Sequence, residues 1–142
     1  MNMVLCLSHP LTDEQILDAQ QQLGITRFIE MPDNLATGWK QVPPEPDVPL
    51  ETLTEVLAFL GKKTAAGDYV LVQGEFGMTC AVVDWCNKNS RIPVYATTIR
   101  DYRYEMKPDG TVVNTHTFRH VRFRRYFNCN GSPFNHCPVF FR

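Results

Sequence analysis

The stretch DYVLVQGEFGMTCAVVDWC, residues 68–86, decides the fold. Its first six residues are apolar enough for a strand buried on both faces, as in the middle of a parallel sheet. Gly74, Glu75, Phe76 and Gly77 follow at once, and then Met78, Ala81, Val82, Trp85 and Cys86 recur at i, i+3, i+4, i+7 and i+8. That spacing gives a helix one apolar face. A buried strand, a tight turn and an amphipathic helix make a unit of an α/β protein.

The same logic extends in both directions. MVLCLS (3–8) has strand length, and Thr12 with Gln15 three residues on forms a helix-start signature closed by Gly24. ITRFIEM (25–31) completes a βαβ opening. Residues 32–49 carry Pro32, Pro43, Pro44, Pro46 and Pro49 and are expected to sustain neither helix nor central strand. Leu53, Val56, Leu57 and Leu60 mark a further amphipathic helix ending near Lys63, and RIPVYATT (91–98) is the next strand. YRYEMK (102–107), a turn at 108–110 and TVVNTHTFRHVRFRRY (111–126) then read as a β-hairpin. The expected fold class is α/β, Rossmann-like: a mostly parallel sheet with flanking helices and a C-terminal β-hairpin. Residues 1–126 form its domain, including the hairpin 102–126, and 127–142 form a tail.

At 142 residues the chain has the length of one compact domain. No run approaches the roughly 20 apolar residues of a membrane span, and the first eight residues are too short and uncharged for a signal peptide, so a cytoplasmic protein is expected. Five cysteines at irregular spacing do not make a secreted disulfide framework. Cys6, Cys80 and Cys86 read as buried reduced thiols. Cys129, His136 and Cys137 fall short of the four paired ligands of a structural zinc site, so neither metal nor cofactor is expected.

The net charge of −1 hides an asymmetry. Residues 1–90 hold 5 Lys/Arg against 12 Asp/Glu, whereas residues 91–142 hold 9 against 3. The basic half is the candidate surface for phosphate. FRHVRFRRY (118–126) concentrates it. Strand alternation puts His120, Arg122 and Arg124 on one side with Phe118 and Tyr126, and Arg119, Val121, Phe123 and Arg125 on the other. A charged edge strand that resists aggregation has the same composition.

Ligands of open α/β sheets bind at the carboxyl ends of the parallel strands. Those ends offer Ser8 and His9, the segment from Gly74 to Thr79, and Thr97, Thr98 and Arg100. The glycines suit close backbone approach to a ligand, and Thr79 sits in a first helical turn whose N–H groups favour anions. A plain strand-to-helix turn needs the same glycines. Glu75 opposes a simple phosphate cradle and instead suits an amino group, a ribose hydroxyl or an arginine.

VQGEFG before a helix, IPVYATTIR, and the hairpin closing in FRHVRFRRY together resemble the small CRISPR-associated Rossmann-fold (CARF-like) ring nucleases of type III CRISPR systems. The resemblance implies a homodimer that binds a cyclic oligoadenylate, most often the tetramer, on its two-fold axis. It implies metal-independent cleavage by attack of a ribose 2′-OH on the adjacent phosphorus, which leaves 2′,3′-cyclic phosphate ends and switches off an antiviral response. The family's contacts carry over onto Ser8, Gly74, Gly77, Arg100, His120, Arg122 and Arg124. Together with the residues at the strand ends and in the glycine turn, the expected site has Ser8, His120 and Arg122 as catalytic and His9, Gly74, Glu75, Phe76, Gly77, Thr79, Thr98, Arg100 and Arg124 in ligand binding. No membrane or DNA partner is implied. A cyclic-oligoadenylate sensor that does not cleave shares these residues. A single-stranded RNA-binding protein is the third reading, against which the pI of about 6.4 weighs.

Overall fold

The computed structural model describes residues 1–128. The strands β1 (Asn2–Cys6), β2 (Arg27–Glu30), β3 (Tyr69–Val72), β4 (Ile92–Met106) and β5 (Val112–Arg125) form one sheet in the order β2-β1-β3-β4-β5. The first four run parallel, and β5 returns antiparallel along β4. The helices are α1 (Asp13–Leu23), α2 (Asp33–Lys40), α3 (Leu50–Lys63) and α4 (Phe76–Lys88). The α/β class with its C-terminal hairpin is as the sequence implies.

Alternation along each strand divides the core in two. Val4, Cys6, Val70 and Val72 pack against Leu35 and Trp39 of α2, Val56 and Leu60 of α3, and Met78, Val82 and Cys86 of α4. Met3, Tyr69, Leu71 and Val94 pack on the other face against Ala19 and Leu23 of α1. β3 is buried at every residue, which is why it reads as an unbroken apolar run. The α1 start is a full capping box, with Thr12 and Gln15 bonding reciprocally, and Gly24 closes the helix at φ 67°.

Three expectations are corrected. The proline-rich segment contains α2, because its prolines flank the helix instead of interrupting it: Pro32 is the N-cap, and Pro43 lies beyond the end. Between them Leu35 and Trp39, four residues apart, bury one helical face. The fourth strand and the first hairpin arm are one strand of 15 residues, not two pieces. Cys80 is exposed, whereas Cys6 and Cys86 are buried. Burial raises both buried thiols far above their ordinary value, Cys86 to about 12. Cys129, His136, Cys137 and most of the tail lie outside the described residues.

No described helix is long and apolar enough to cross a membrane.

Candidate functional site

The glycine turn after β3 serves the fold itself. A Cβ on Gly74 would lie 2.7–2.9 Å from the indole ring of Trp39, so glycine is what lets α2 close over the end of β3. Trp39, only 1% exposed, donates from Nε1 to the Gln73 carbonyl at 3.1 Å. A Cβ on Gly77 would meet Val48 at 2.8 Å. The close approach expected of a ligand is made by the chain's own side chains.

The start of α4 is likewise occupied. Glu75 is its N-cap, and the carboxylate accepts from the Gly77 and Met78 N–H groups at 3.0 and 2.9 Å. These two bonds hold its pKa below the usual carboxylate range. An anion at this helix end therefore meets a resident carboxylate, and the Thr79 hydroxyl is buried with no hydrogen-bond partner. The turn caps its own helix, with Glu75 in the place where an anion would sit. Phe76 projects beside it, 89% exposed.

Gln73, which the sequence reading passed over, joins this edge together. Its side-chain oxygen accepts from the Ala96 N–H at 3.0 Å, its backbone N–H donates to the Cys6 carbonyl at 3.0 Å, and its carbonyl receives Trp39. Tyr126 adds a second tie, donating from its hydroxyl to the Val72 carbonyl at 2.6 Å. Its ring meets Tyr95 at 4.8 Å, and Arg124 stacks on Tyr95 while donating to the Tyr95 hydroxyl at 3.2 Å.

The basic strand does not present His120, Arg122 and Arg124 together. Thr97 pairs with Arg122 but Thr98 pairs with His120, so Val121 is an extra residue in β5. Such a bulge resets the alternation. His120 now shares a face with Phe123, at 4.8 Å between rings, and both turn toward α1. Arg124 turns with Tyr126 toward the α4 side. Thr97 secures the bulge by donating from Oγ1 to the Arg122 carbonyl at 2.7 Å. No composition signal marks the extra residue, although the Thr hydroxyl opposite it is part of what holds it.

His120 is enclosed. Its side chain is 5% exposed, its Nε2 lies 2.8 Å from Oδ2 of Asp18 on α1, and its Nδ1 is buried with no partner. Arg122 borders a cleft of about 450 Å³ with Asp18, Gln22, Val121 and Phe123. Ser8 and His9 follow β1, and the His9 Nδ1 lies 3.0 Å from the Pro10 carbonyl. β3 and β4 separate β1 from β5, so strand spacing alone holds Ser8 and His120 apart by about 14 Å.

Farther out along the hairpin, Thr98, Arg100 and Tyr102 share one face of β4. The Arg100 guanidinium lies 5.0 Å from the Phe118 ring and 5.9 Å from the Tyr102 ring, and donates to the Tyr102 hydroxyl at 3.2 Å. His116 meets Tyr102 edge-on at 4.7 Å. Among the described residues, neither Arg100, Arg122 nor Arg124 has a carboxylate partner. This stacked array of rings and unneutralised guanidinium groups is the feature whose chemistry points outward, and it lies within a segment that similarity defines. The family described as Uncharacterized protein MJ1673 matches residues 1–124. The chain belongs to the MJ1673 family. A Methanocaldococcus jannaschii protein, "Uncharacterized protein MJ1673", is 39% identical over 124 residues, which is 87% of this chain and 95% of that one. The MJ1673-family match thus takes in the parallel sheet, the bulge and the whole outer hairpin.

Proposed function

We propose that this MJ1673-family protein is a cytoplasmic ring nuclease that binds a cyclic oligoadenylate, the tetramer first, and opens it without metal. The observation that carries the reading is the array of Arg100, Phe118 and Tyr102. Ring faces accept bases by stacking, and guanidinium groups without carboxylate partners supply donors for phosphate. In the reaction a ribose 2′ oxygen bonds to phosphorus, the P–O5′ bond breaks, and the 2′ proton leaves as the 5′ oxygen gains one. Linear fragments with 2′,3′-cyclic phosphate ends result, and a type III CRISPR signal is switched off. Holding nucleophile, phosphorus and leaving oxygen in line contributes on the order of 7–11 kcal/mol in favourable cases. Arg122 at the bulge and Arg100 meet the charge that builds on phosphoryl oxygens.

A sequestering protein that does not cleave is the second reading. The separation of Ser8 from His120 and the burial of His120 against Asp18 favour it, since one chain then brings no acid and base to a single phosphorus. Incubation with cyclic tetra-adenylate in EDTA, followed by chromatography, tests both. Linear products support the nuclease, and an intact retained ring supports sequestration. The absence of both cleavage and retention overturns the nucleotide reading. Arg100→Ala is expected to weaken retention at least 10-fold, in line with about 1.5–3 kcal/mol for a charged hydrogen bond.

A further inference from the structure

The outer half of β4 has a free edge with a self-complementary sequence. Backbone groups of successive strand residues point to opposite edges. The Ile92 N–H reaches the Asp68 carbonyl and the Ala96 N–H reaches the Gln73 side chain, both on the β3 side. The Pro93 carbonyl accepts from Tyr126, and the Lys107 N–H donates to Thr111, both on the β5 side. Even-numbered residues of β4 therefore face away from β5. β3 pairs only as far as Val94, and Gln73 takes the next group at Ala96. Among the described residues, nothing pairs with the backbone donors and acceptors that Thr98, Arg100, Tyr102, Tyr104 and Met106 turn to this edge.

This ribbon also exposes apolar surface, with Tyr104 at 75% and Met106 at 77%. Two strands alone are marginally stable in water, and a long free edge with such side chains invites a further strand. We propose that a second copy of this chain fills that edge, with the two β4 strands antiparallel about a two-fold axis through Tyr102. The open segment from Thr98 to Met106 is centred on Tyr102. That register pairs Thr98 with Met106, Arg100 with Tyr104 and Tyr102 with itself, and forms about ten N–H···O=C bonds between copies.

The side chains select the same register. On one face Arg100 meets Tyr104 of the other copy, a cation over a ring. On the opposite face Asp101 meets Arg103, twice by symmetry. Moving the axis to Asp101 or Arg103 sets that charged residue against its own copy, and moving it to Arg100 does the same. An axis at Tyr104 keeps opposite charges together but leaves only Tyr102, Tyr104 and Met106 in the ladder. The resulting sheet, β5-β4-β4-β5, would join the two Arg100–Phe118–Tyr102 arrays into one floor across the axis. Only this last consequence rests on the nucleotide reading; the pairing does not.

The test is the mass of the free protein by light scattering, with no ligand present, together with two sets of variants. The parent is expected to be a dimer at tens of micromolar. Arg103→Asp should raise the dissociation constant at least 10-fold, and Asp101→Arg combined with Arg103→Asp should restore it, because the pair is then reversed but intact. Far-UV circular dichroism of each variant establishes that the chain is folded. Tyr102→Cys should form a disulfide-linked dimer under mild oxidation, since hydrogen-bonded antiparallel partners have Cα atoms about 5.5 Å apart. Tyr104→Cys, opposite Arg100, should not exceed the parent's background. A monomeric parent, a dimer indifferent to Arg103→Asp, or cross-linking at position 104 in place of 102 overturns the proposal.

Discussion

β3 and the outer half of β4 are both strands, yet they stand at opposite extremes. Every residue of β3 is buried between helices, and its neighbours on both edges are strands of the same chain. Among the described residues, the outer half of β4 has one partner, β5, and is mostly exposed. One strand is held by packing on both faces, the other by a single ladder. Stability therefore resides in the parallel half, and the ribbon adds little to it.

The largest expected effect tests that division directly. Trp39→Ala removes a buried indole and its bond to Gln73, and such truncations cost about 3–5 kcal/mol. Tyr104→Ala removes an exposed phenol ring from the ribbon and should change monomer stability by less than about 0.5 kcal/mol. Urea midpoints measured at submicromolar concentration, where self-association does not contribute, compare the two. Similar losses would mean that the ribbon is part of the cooperative fold.

His120 lies on the border between the two regions, and its substitution sharpens the comparison at intermediate size. It ties α1 to β5 through Asp18 and packs on Phe123. His120→Ala leaves the Asp18 carboxylate without this partner and should cost about 1–3 kcal/mol. Asp18→Asn keeps an acceptor for the imidazole N–H and should cost less. A His120→Ala protein that unfolds at the parent's midpoint but no longer cleaves cyclic tetra-adenylate would make His120 a catalytic group and not a brace.

The parallel half was legible because burial writes itself into composition and period. The apolar run of β3, the helical spacing from Met78 to Cys86 and the capping box at Thr12 each have one physical cause and one pattern. α2 was hidden because its flanking prolines outweigh eight residues of helix in any reading by segment. The candidate site was harder. A glycine required by the ring of Trp39, 35 residues earlier in sequence, looks the same as one required by a ligand. A bulge adds one residue without changing composition, so the expected face of His120, Arg122 and Arg124 dissolved on a single extra residue, Val121. Side-chain identity survives such a shift; side-chain direction does not.

The smallest expected effect lies at the turn between the two regions. The Glu75 carboxylate caps α4, and its bonds to the Gly77 and Met78 N–H groups lower its pKa in the folded state. A carboxylate with a depressed folded pKa contributes stability that is fully present above its unfolded value and is lost as pH falls through the folded value. Glu75→Gln retains an oxygen acceptor but loses the charge favoured at a helix N-terminus. The variant should therefore be slightly less stable than the parent at neutral pH. The difference should shrink as the pH falls below the ordinary carboxylate range, where the parent's own carboxylate protonates. Denaturant midpoints of both proteins from pH 7 to pH 3 check the sign. A gap that stays constant across this range would mean that Glu75 acts through shape alone. If the variant instead matched the parent's stability at neutral pH and gained affinity for cyclic tetra-adenylate, the capping carboxylate would be what keeps phosphate away from this helix end, and the ligand would extend from the ribbon toward the parallel sheet.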